Sequence, residues 1–453
     1  MSYAQSVTPE DHAVADLIQF LKFASVSTDP AHNQDTSNCA DWLVTKLTGL
    51  GLTAEKHPTP GHPVVVARNE HKEGRPTVMI YGHYDVQPAD PLDLWKTPPF
   101  EPRIEDGVIY ARGSTDNKGQ ILAHIHGVQQ ALAEDKELPV NLIFLIEGEE
   151  EIGSPNLGPF LEAHRDVLRC DIVAISDTGM IGAGKGTFTY GLRGIAAAEV
   201  NVTGPAVDLH SGIYGGAVAN PATALARVLA TLHDAEGRVA VEGFYADVKD
   251  LADWEREAAA KLPGSDADLL ALAGSPAVFG EKGYTSTERR SARPTAEING
   301  LASGYQGEGS KTIIPSKAMA KLTFRLVPDQ DPAKILTQVE AHLKKHCPPG
   351  VELTFHAGHS GNPYLCDPHS PAGQAAQRAL QATFGGEVAL IREGGSIPIV
   401  QTFKDVLGVE TLLLGLALPD CRAHSPNENF PLENFRAGAT MSRNLLKELA
   451  KGG

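Results

Sequence analysis

The chain is 453 residues long, 42% hydrophobic, and carries a formal charge of -17 at pH 7. That length exceeds one ordinary core and predicts two domains, with enough apolar content to bury both. So acidic a chain excludes nucleic acid and anionic membranes, whose phosphates require a basic surface, and leaves small or peptide-like molecules as partners.

The first 23 residues, MSYAQSVTPEDHAVADLIQFLKF, set Thr8-Pro9-Glu10-Asp11 ahead of an amphipathic helix near 10–23, without a basic segment followed by an apolar one. This is the start expected of a cytoplasmic protein. Nowhere do about 18 apolar residues run together, so no membrane span is expected. The five cysteines, Cys39, Cys170, Cys347, Cys366 and Cys421, are odd in number, scattered and without a CxxC pair. They read as reduced thiols, neither disulfide staples nor zinc ligands. A second helix near 37–48 precedes apolar runs at 64–67, 77–81, 140–146 and 172–176. Helices alternating with such runs predict an α/β domain built on a mostly parallel sheet with helices on both faces.

From Gly194 the texture changes to a strand at 195–202, a helix at 221–233, strands around 312–314 and 318–327, a helix at 332–346 and a strand at 351–356. The order β-α-β-β-α-β predicts a smaller, α+β ferredoxin-like domain with an inserted segment near 238–290. A helical stretch at 371–384, an apolar run at 411–416 and a closing helix near 432–449 resume the first texture. The small domain therefore interrupts the large one, which is expected to comprise 1–191 and 366–453, with 192–365 between them.

The run VNLIFLIEGEEEIGS, residues 140–154, leads an apolar strand straight into Glu147, Glu149, Glu150 and Glu151. Adjacent negative charges at the mouth of a buried strand need either open water or cations. A solvated acidic turn is the plain alternative. In open α/β sheets, however, functional groups collect beyond the carboxyl ends of strands, and the other runs here end alike. The run at 77–81 ends in Gly82-His83-Tyr84-Asp85, that at 172–176 in Asp177, and that at 411–416 leads to Arg422-Ala423-His424. Asp116, in ARGSTDNKGQ, stands just before a helix. Singly, His83 could cap a turn, Asp116 a helix and Asp177 an Asx turn; their joint placement has no such explanation. Two histidines and several carboxylates without cysteine form an N/O ligand set suited to zinc, manganese or cobalt. Of the adjacent pair Glu150 and Glu151, one can bind metal while the other deprotonates a bound water. The glycine-rich strings at 304–312 and 182–186 lack, respectively, the Gly-Lys adjacency and the following helix of a phosphate loop, and no HExxH is present.

The strings YGHYDVQPADPLDLWKTPPFEP, YARGSTDNKG, EGEEEIGS, ISD, YGLRG, DLHSGIYGG, SKTIIPSKAMAKLTFRLVP, REGGSIP and AHSPNE closely resemble the carnosinase-like group, the cytosolic non-specific dipeptidases, among the dinuclear metallopeptidases related to aminoacylase and carboxypeptidase G. They occur in that group's order from about residue 77 to the C-terminus. The resemblance implies a catalytic domain holding two divalent ions, zinc or manganese with cobalt possible, and a lid domain that also forms a homodimer. By motif position it implies His83 and Asp177 on one metal, Glu151 and His424 on the other, and Asp116 bridging them through a cis Asp116-Asn117 peptide. Glu150 would be the general base and Asp85 the partner that orients His83. His210 would reach the partner subunit's site to stabilise an oxyanion. Arg325, Thr312 and His359 would hold the substrate's C-terminal carboxylate, and Glu393, Gly395 and Ser396 would line the pocket near its amino end. Glu149 departs from several relatives, which carry no acid there, and puts metal preference in question.

The implied activity is hydrolysis of dipeptides or short peptides by a metal-bound hydroxide with a glutamate base. A deacylase or desuccinylase of N-acyl amino acids is the alternative, because the metal centre does not distinguish one amide from another. A catalytically silent metal-binding protein is disfavoured by the presence of Glu150 beside all five implied ligands.

Overall fold

The computed structural model describes residues 12–395 and 397–451 of the chain. The expected helix start at Thr8 to Asp11 and the pocket residue Ser396 lie outside that range. Two compact units emerge: one contains the chain up to Tyr190, Cys366–Ile391 and the chain from Thr402 on, and the other contains Gly191–Leu365 with Arg392–Gln401. The last segment differs from the sequence expectation, which gave all of 366–453 to the large domain. It goes with the smaller unit because Arg392 pairs with Glu255 and the Arg193 side chain donates to the Gly394 carbonyl.

In the large unit the sheet runs Thr53–His57, Val64–Arg68, Asn141–Glu147, Thr77–His83, Ile172–Ile175, Thr411–Leu413, Thr187–Leu192. Its centre is parallel: Asn141–Glu147 and Ile172–Ile175 flank Thr77–His83, and Thr411–Leu413 adds beside Ile172–Ile175 in the same sense. Every residue of Asn141–Glu147 is buried, which is why that strand reads as an unbroken apolar run without alternation. The helices Lys118–Asp135, Pro371–Phe384 and Leu432–Ala450 pack together, the last contacting both of the others. Among the described residues no helix is long and apolar enough to cross a membrane.

The smaller unit has a four-stranded antiparallel sheet in the order Thr295–Ser303, Lys317–Leu326, Gly194–Thr203, Glu352–Gly361. With helices Pro221–Ala230 and Pro332–His346 this is the ferredoxin-like arrangement. One face is covered: Ala318, Ala320, Leu322, Phe324 and Leu326 alternate into the core with Val228 and Val339. One expectation is corrected here. The second strand of this sheet is Thr295–Ser303, whereas Ile313–Ile314 forms only a short ribbon with Leu209–His210. Thr295–Ser303 escapes periodicity because its second half lies on the exposed edge and a register irregularity falls between Ile298 and Gly300.

Glycine at the head of Lys118–Asp135 has a packing reason. A Cβ on Gly119 would stand 2.0 Å from the Ser114 carbonyl oxygen and 2.7 Å from the Phe430 ring. In an open helix Gly→Ala gains about 1 kcal/mol, but here the overpacking should reverse the sign and cost about 1–3 kcal/mol. Gly49→Ala, where nothing lies within 4 Å, should be neutral or stabilising. Urea unfolding of both variants checks this, and equal stability of Gly119→Ala and wild type would contradict the packing account.

Candidate metal centre

The parallel centre of the sheet ends its strands level. His83 lies in register with Glu147 on the neighbouring strand, and Asp177 follows two residues beyond Ile175. The Asp116-Asn117 peptide, directly ahead of the helix Lys118–Asp135, is cis. His424 comes from the loop after Thr411–Leu413 and has a left-handed backbone, φ 59°, as does Arg422 at 57°, a conformation that a tightly built loop must enforce.

These segments assemble two groups of possible cation ligands that share one residue: His83, Asp116 and Asp177, and Asp116, Glu151 and His424. His83 Nε2 lies 3.2 Å from Asp116 Oδ1 and 3.7 Å from Asp177 Oδ1. His424 Nε2 lies 2.9 Å from Asp116 Oδ2 and 3.4 Å from Glu151 Oε2. Two ligand atoms each about 2.1 Å from one tetrahedral ion stand roughly 3.4 Å apart, so the spacing fits. The donor chemistry fits as well. His83 Nε2 is fully buried and lacks an aligned hydrogen-bond partner, which for a buried nitrogen facing carboxylates marks the place of a cation. Its other nitrogen, Nδ1, sits 3.1 Å from the Asp85 carbonyl and 3.3 Å from Asp85 Oδ1, leaving the Nε2 lone pair for the metal.

Asp85 does more than the sequence suggests. Its two carboxylate oxygens also accept the backbone N–H groups of Glu150 at 3.2 Å and Glu151 at 3.1 Å, so one buried carboxylate fixes both the histidine and the glutamate pair. Three further residues were not read from the sequence. Asn117 donates to the Ser176 carbonyl and to Asp177 Oδ1 at 2.6 and 2.9 Å. Gln87 donates to Glu151 Oε2 at 2.8 Å. Glu428 holds the backbone on which Asp116 stands. The first two are neutral amides that no charge or spacing pattern marks, whereas Glu428 stands inside the AHSPNE string without a role attached.

The electrostatics follow from burial. Glu150 is raised well above the usual carboxylate range by desolvation; His83 opposes this, and Asp177, Asp116 and Glu151 reinforce it. Glu151 is pushed up to about 8, by burial first and then by Asp116. Burial would raise Asp116 too, but hydrogen bonds with His424 and His83 outweigh it and carry it below the usual range. His424 rises to about 9, chiefly through Asp116. Glu149 is set apart from this cluster: Asn156 Nδ2 holds both of its oxygens at 3.1 and 2.8 Å, and Oε1 also accepts the His62 N–H at 3.1 Å. It ties two loops together and belongs to neither ligand group.

The remaining expected residues fall in the smaller unit. His210 and Thr312 are neighbours, since His210 pairs with Ile313 and the Ser211 N–H donates to the Thr312 carbonyl at 3.0 Å. His210 Nδ1 accepts the Gly212 N–H at 3.0 Å, which leaves the ring proton on Nε2. Arg325 and Thr323 line a cavity of about 390 Å³ with Arg193, Arg290 and Glu297. His359 lies at the irregularity of Glu352–Gly361, with the strand Gly194–Thr203 between it and the strand of Arg325. Glu393 and Gly395 flank Gly394 on the segment anchored by Arg193.

A sheet whose strand ends hold paired cation sites beside a buried carboxylate defines a metal-dependent hydrolase. Residues 79–448 match the model of peptidase family M20/M25/M40, and the chain belongs to that family. It is 36% identical over 442 residues to the Cys-Gly metallodipeptidase DUG1 of Candida albicans, covering 92% of this chain and 90% of that one. It is 33% identical over 404 residues to the human Beta-Ala-His dipeptidase, covering 86% and 78%. Among solved structures, the M20 family metallo-carboxypeptidase Sso-CP2 of Sulfolobus solfataricus superposes with a TM-score of 0.83 at 35% identity, covering 97% of this chain and all (100%) of that one.

Two measurements test the centre. In the metal-free protein, groups whose pKa is raised by folding contribute stability that is present below their unfolded values and lost as pH rises through the folded ones. For Glu151 that window runs from 4.5 to about 8, and the rise of His424 to about 9 has the same sign. Cations need these groups deprotonated and gain affinity over the same range. The melting-temperature gap between metal-loaded and chelator-treated protein should therefore widen from about pH 5 to about pH 8; a flat gap would contradict the assignment. Glu149→Gln should leave two metal equivalents bound, as read by elemental analysis, because that carboxylate serves the loops; loss of one equivalent would make it a ligand.

Proposed function

We propose that this chain is a dipeptidase with two divalent cations, zinc or manganese with cobalt as a substitute, held by His83 and Asp177, by Glu151 and His424, and bridged by Asp116. The observation that carries this reading is the shared carboxylate of the two ligand groups next to Glu150, a buried carboxylate raised well above its usual range. When bound, such cations polarise the scissile carbonyl and acidify water. Glu150 then takes a proton from the attacking water and delivers it to the leaving amine, a task for which a raised carboxylate suits neutral pH. Asp85 keeps the His83 ring and the Glu150-Glu151 backbone in place while this happens.

The ends of the substrate are assigned to the smaller unit. Arg325, with Thr312 and His359, takes the C-terminal carboxylate, and Glu393, Gly395 and Ser396 lie toward the free amino group. His210, donating from Nε2, stabilises the oxyanion, and in this reading it does so for a second copy of the chain in a homodimer. The names of the relatives, which act on Cys-Gly and Beta-Ala-His, support short peptides with both termini free. Among the described residues the five cysteines form no disulfide, which fits a reducing cytoplasm.

Hydrolysis of a panel of dipeptides and N-acyl amino acids, with and without chelator, tests the reading. Dipeptides should be cleaved only in the metal-loaded protein, and preference for acyl amino acids would move it to the deacylases. Glu150→Gln should retain two metal equivalents while kcat falls by about 10²–10⁴. Metal loss in that variant would make Glu150 a ligand.

A further inference from the structure

The segment Ala111 to Asn117 is a buried strap that carries Asp116, and its backbone donors converge on one side chain. Glu428 Oε1 accepts the N–H groups of Thr115 at 2.9 Å and Asp116 at 3.0 Å, while Oε2 accepts the Gly113 N–H and Arg112 Nη1, both at 2.8 Å. The Glu428 carbonyl also accepts the Ala111 N–H at 3.1 Å. Glu428 and Arg112 are 0% and 1% exposed, and Arg112 is itself set by the Pro88 carbonyl at 3.2 Å and the Trp95 ring. Buried ion pairs of this kind contribute little net stability against apolar packing. This one closes a particular gap: without the carboxylate, three buried backbone donors of the strap would have no acceptor.

The position of Glu428 in the chain gives the arrangement its consequence. It lies four residues beyond His424, whose ring stands 2.9 Å from Asp116 Oδ2, and Asn429 pairs with Tyr110 at the other end of the strap. One carboxylate therefore joins the loop that offers His424 to the strap that offers Asp116, and it holds the main chain of Asp116 directly.

We propose that Glu428 is the positioning residue of the bridging carboxylate: it fixes the Asp116 backbone so that Oδ1 and Oδ2 address both cation groups at once. This rests on the two-cation reading above. Because Asp116 belongs to both groups, loosening the strap weakens both cations together, whereas a defect at His83, Asp177, Glu151 or His424 falls on one.

The test is stepwise titration of the full-length metal-free protein with Zn²⁺ against a chromophoric chelator, and with Co²⁺ followed by its visible absorption. Wild type should take up two ions; if it does not, the two-cation reading itself fails. Glu428→Gln should weaken both uptake steps by about 10–100-fold and alter the Co²⁺ spectrum. Glu428→Gln combined with Arg112→Met removes the unpaired buried guanidinium and should remain equally weak. Glu428→Asp, which withdraws the carboxylate by one methylene, gives the same reading should the amide variants not fold. Asn141→Ala, a buried site at the opposite end of its strand, controls for general destabilisation and should keep wild-type affinities. Wild-type uptake at both steps in a folded Glu428 variant, recovery in the double variant, or equal weakening in Asn141→Ala would each overturn the proposal.

Discussion

The structure of the large unit is governed by a concentration of negative charge that a parallel sheet makes unavoidable. Adjacent strands lie about 4.8 Å apart, so residues that follow them end within a few ångströms of one another. Here those residues are Asp85, Asp177 and the glutamates after Asn141–Glu147, joined by Asp116 and Glu428 from the loops. Buried carboxylates at such spacing are sustained either by hydrogen-bond donors or by cations.

The cluster divides along that line. Asp85 is held by the amides of Glu150 and Glu151, and Glu428 by Arg112 and three strap amides. Glu147 accepts hydroxyls from Tyr81 at 2.6 Å and Ser154 at 2.7 Å, and Glu149 is held by Asn156 and His62. Asp85, Glu149 and Glu428 use those donors to arrange backbone, whereas Glu147 holds two side chains and is itself pushed up to about 8 by burial. The carboxylates facing inward have mainly histidine and one another, and burial drives Glu150 and Glu151 upward. A divalent cation reverses that penalty, since it replaces protons with a charge the whole cluster can share. Binding and catalysis thus draw on an electrostatic cost already present in the fold.

What the sequence revealed, and what it did not, follows from the same physics. Strands buried on both faces announce themselves as apolar runs, and Asn141–Glu147 was legible for that reason. Thr53–His57 was missed because it is largely solvent-facing and its sequence, TAEKH, resembles a loop. Thr295–Ser303 was missed through its exposed, irregular edge. The residues of the two candidate cation groups were legible because His and carboxylates at strand ends are chemically conspicuous. Asn117 and Gln87 were not, because neutral amides occur everywhere. The role of Glu428 depends on partners more than 300 residues earlier in the chain, such as Asp116, which no local pattern can display.

The smaller unit carries a concentration of positive charge of its own. In a chain of net charge -17, its 390 Å³ cavity is lined by Arg193, Arg290 and Arg325 with Glu297 as a nearby acid. Arg193 falls to about 10, through burial first and then the proximity of Arg325, so the guanidiniums are crowded enough to repel. Arg193 spends its donors on the Gly394, Arg289 and Arg293 carbonyls, which makes it the clamp of the segment after Glu393. Arg293 is matched by Glu281 at 2.7 and 2.8 Å. Crowded positive charge of this kind is relieved by an anion, which is the physical ground for proposing that Arg325 takes a substrate carboxylate.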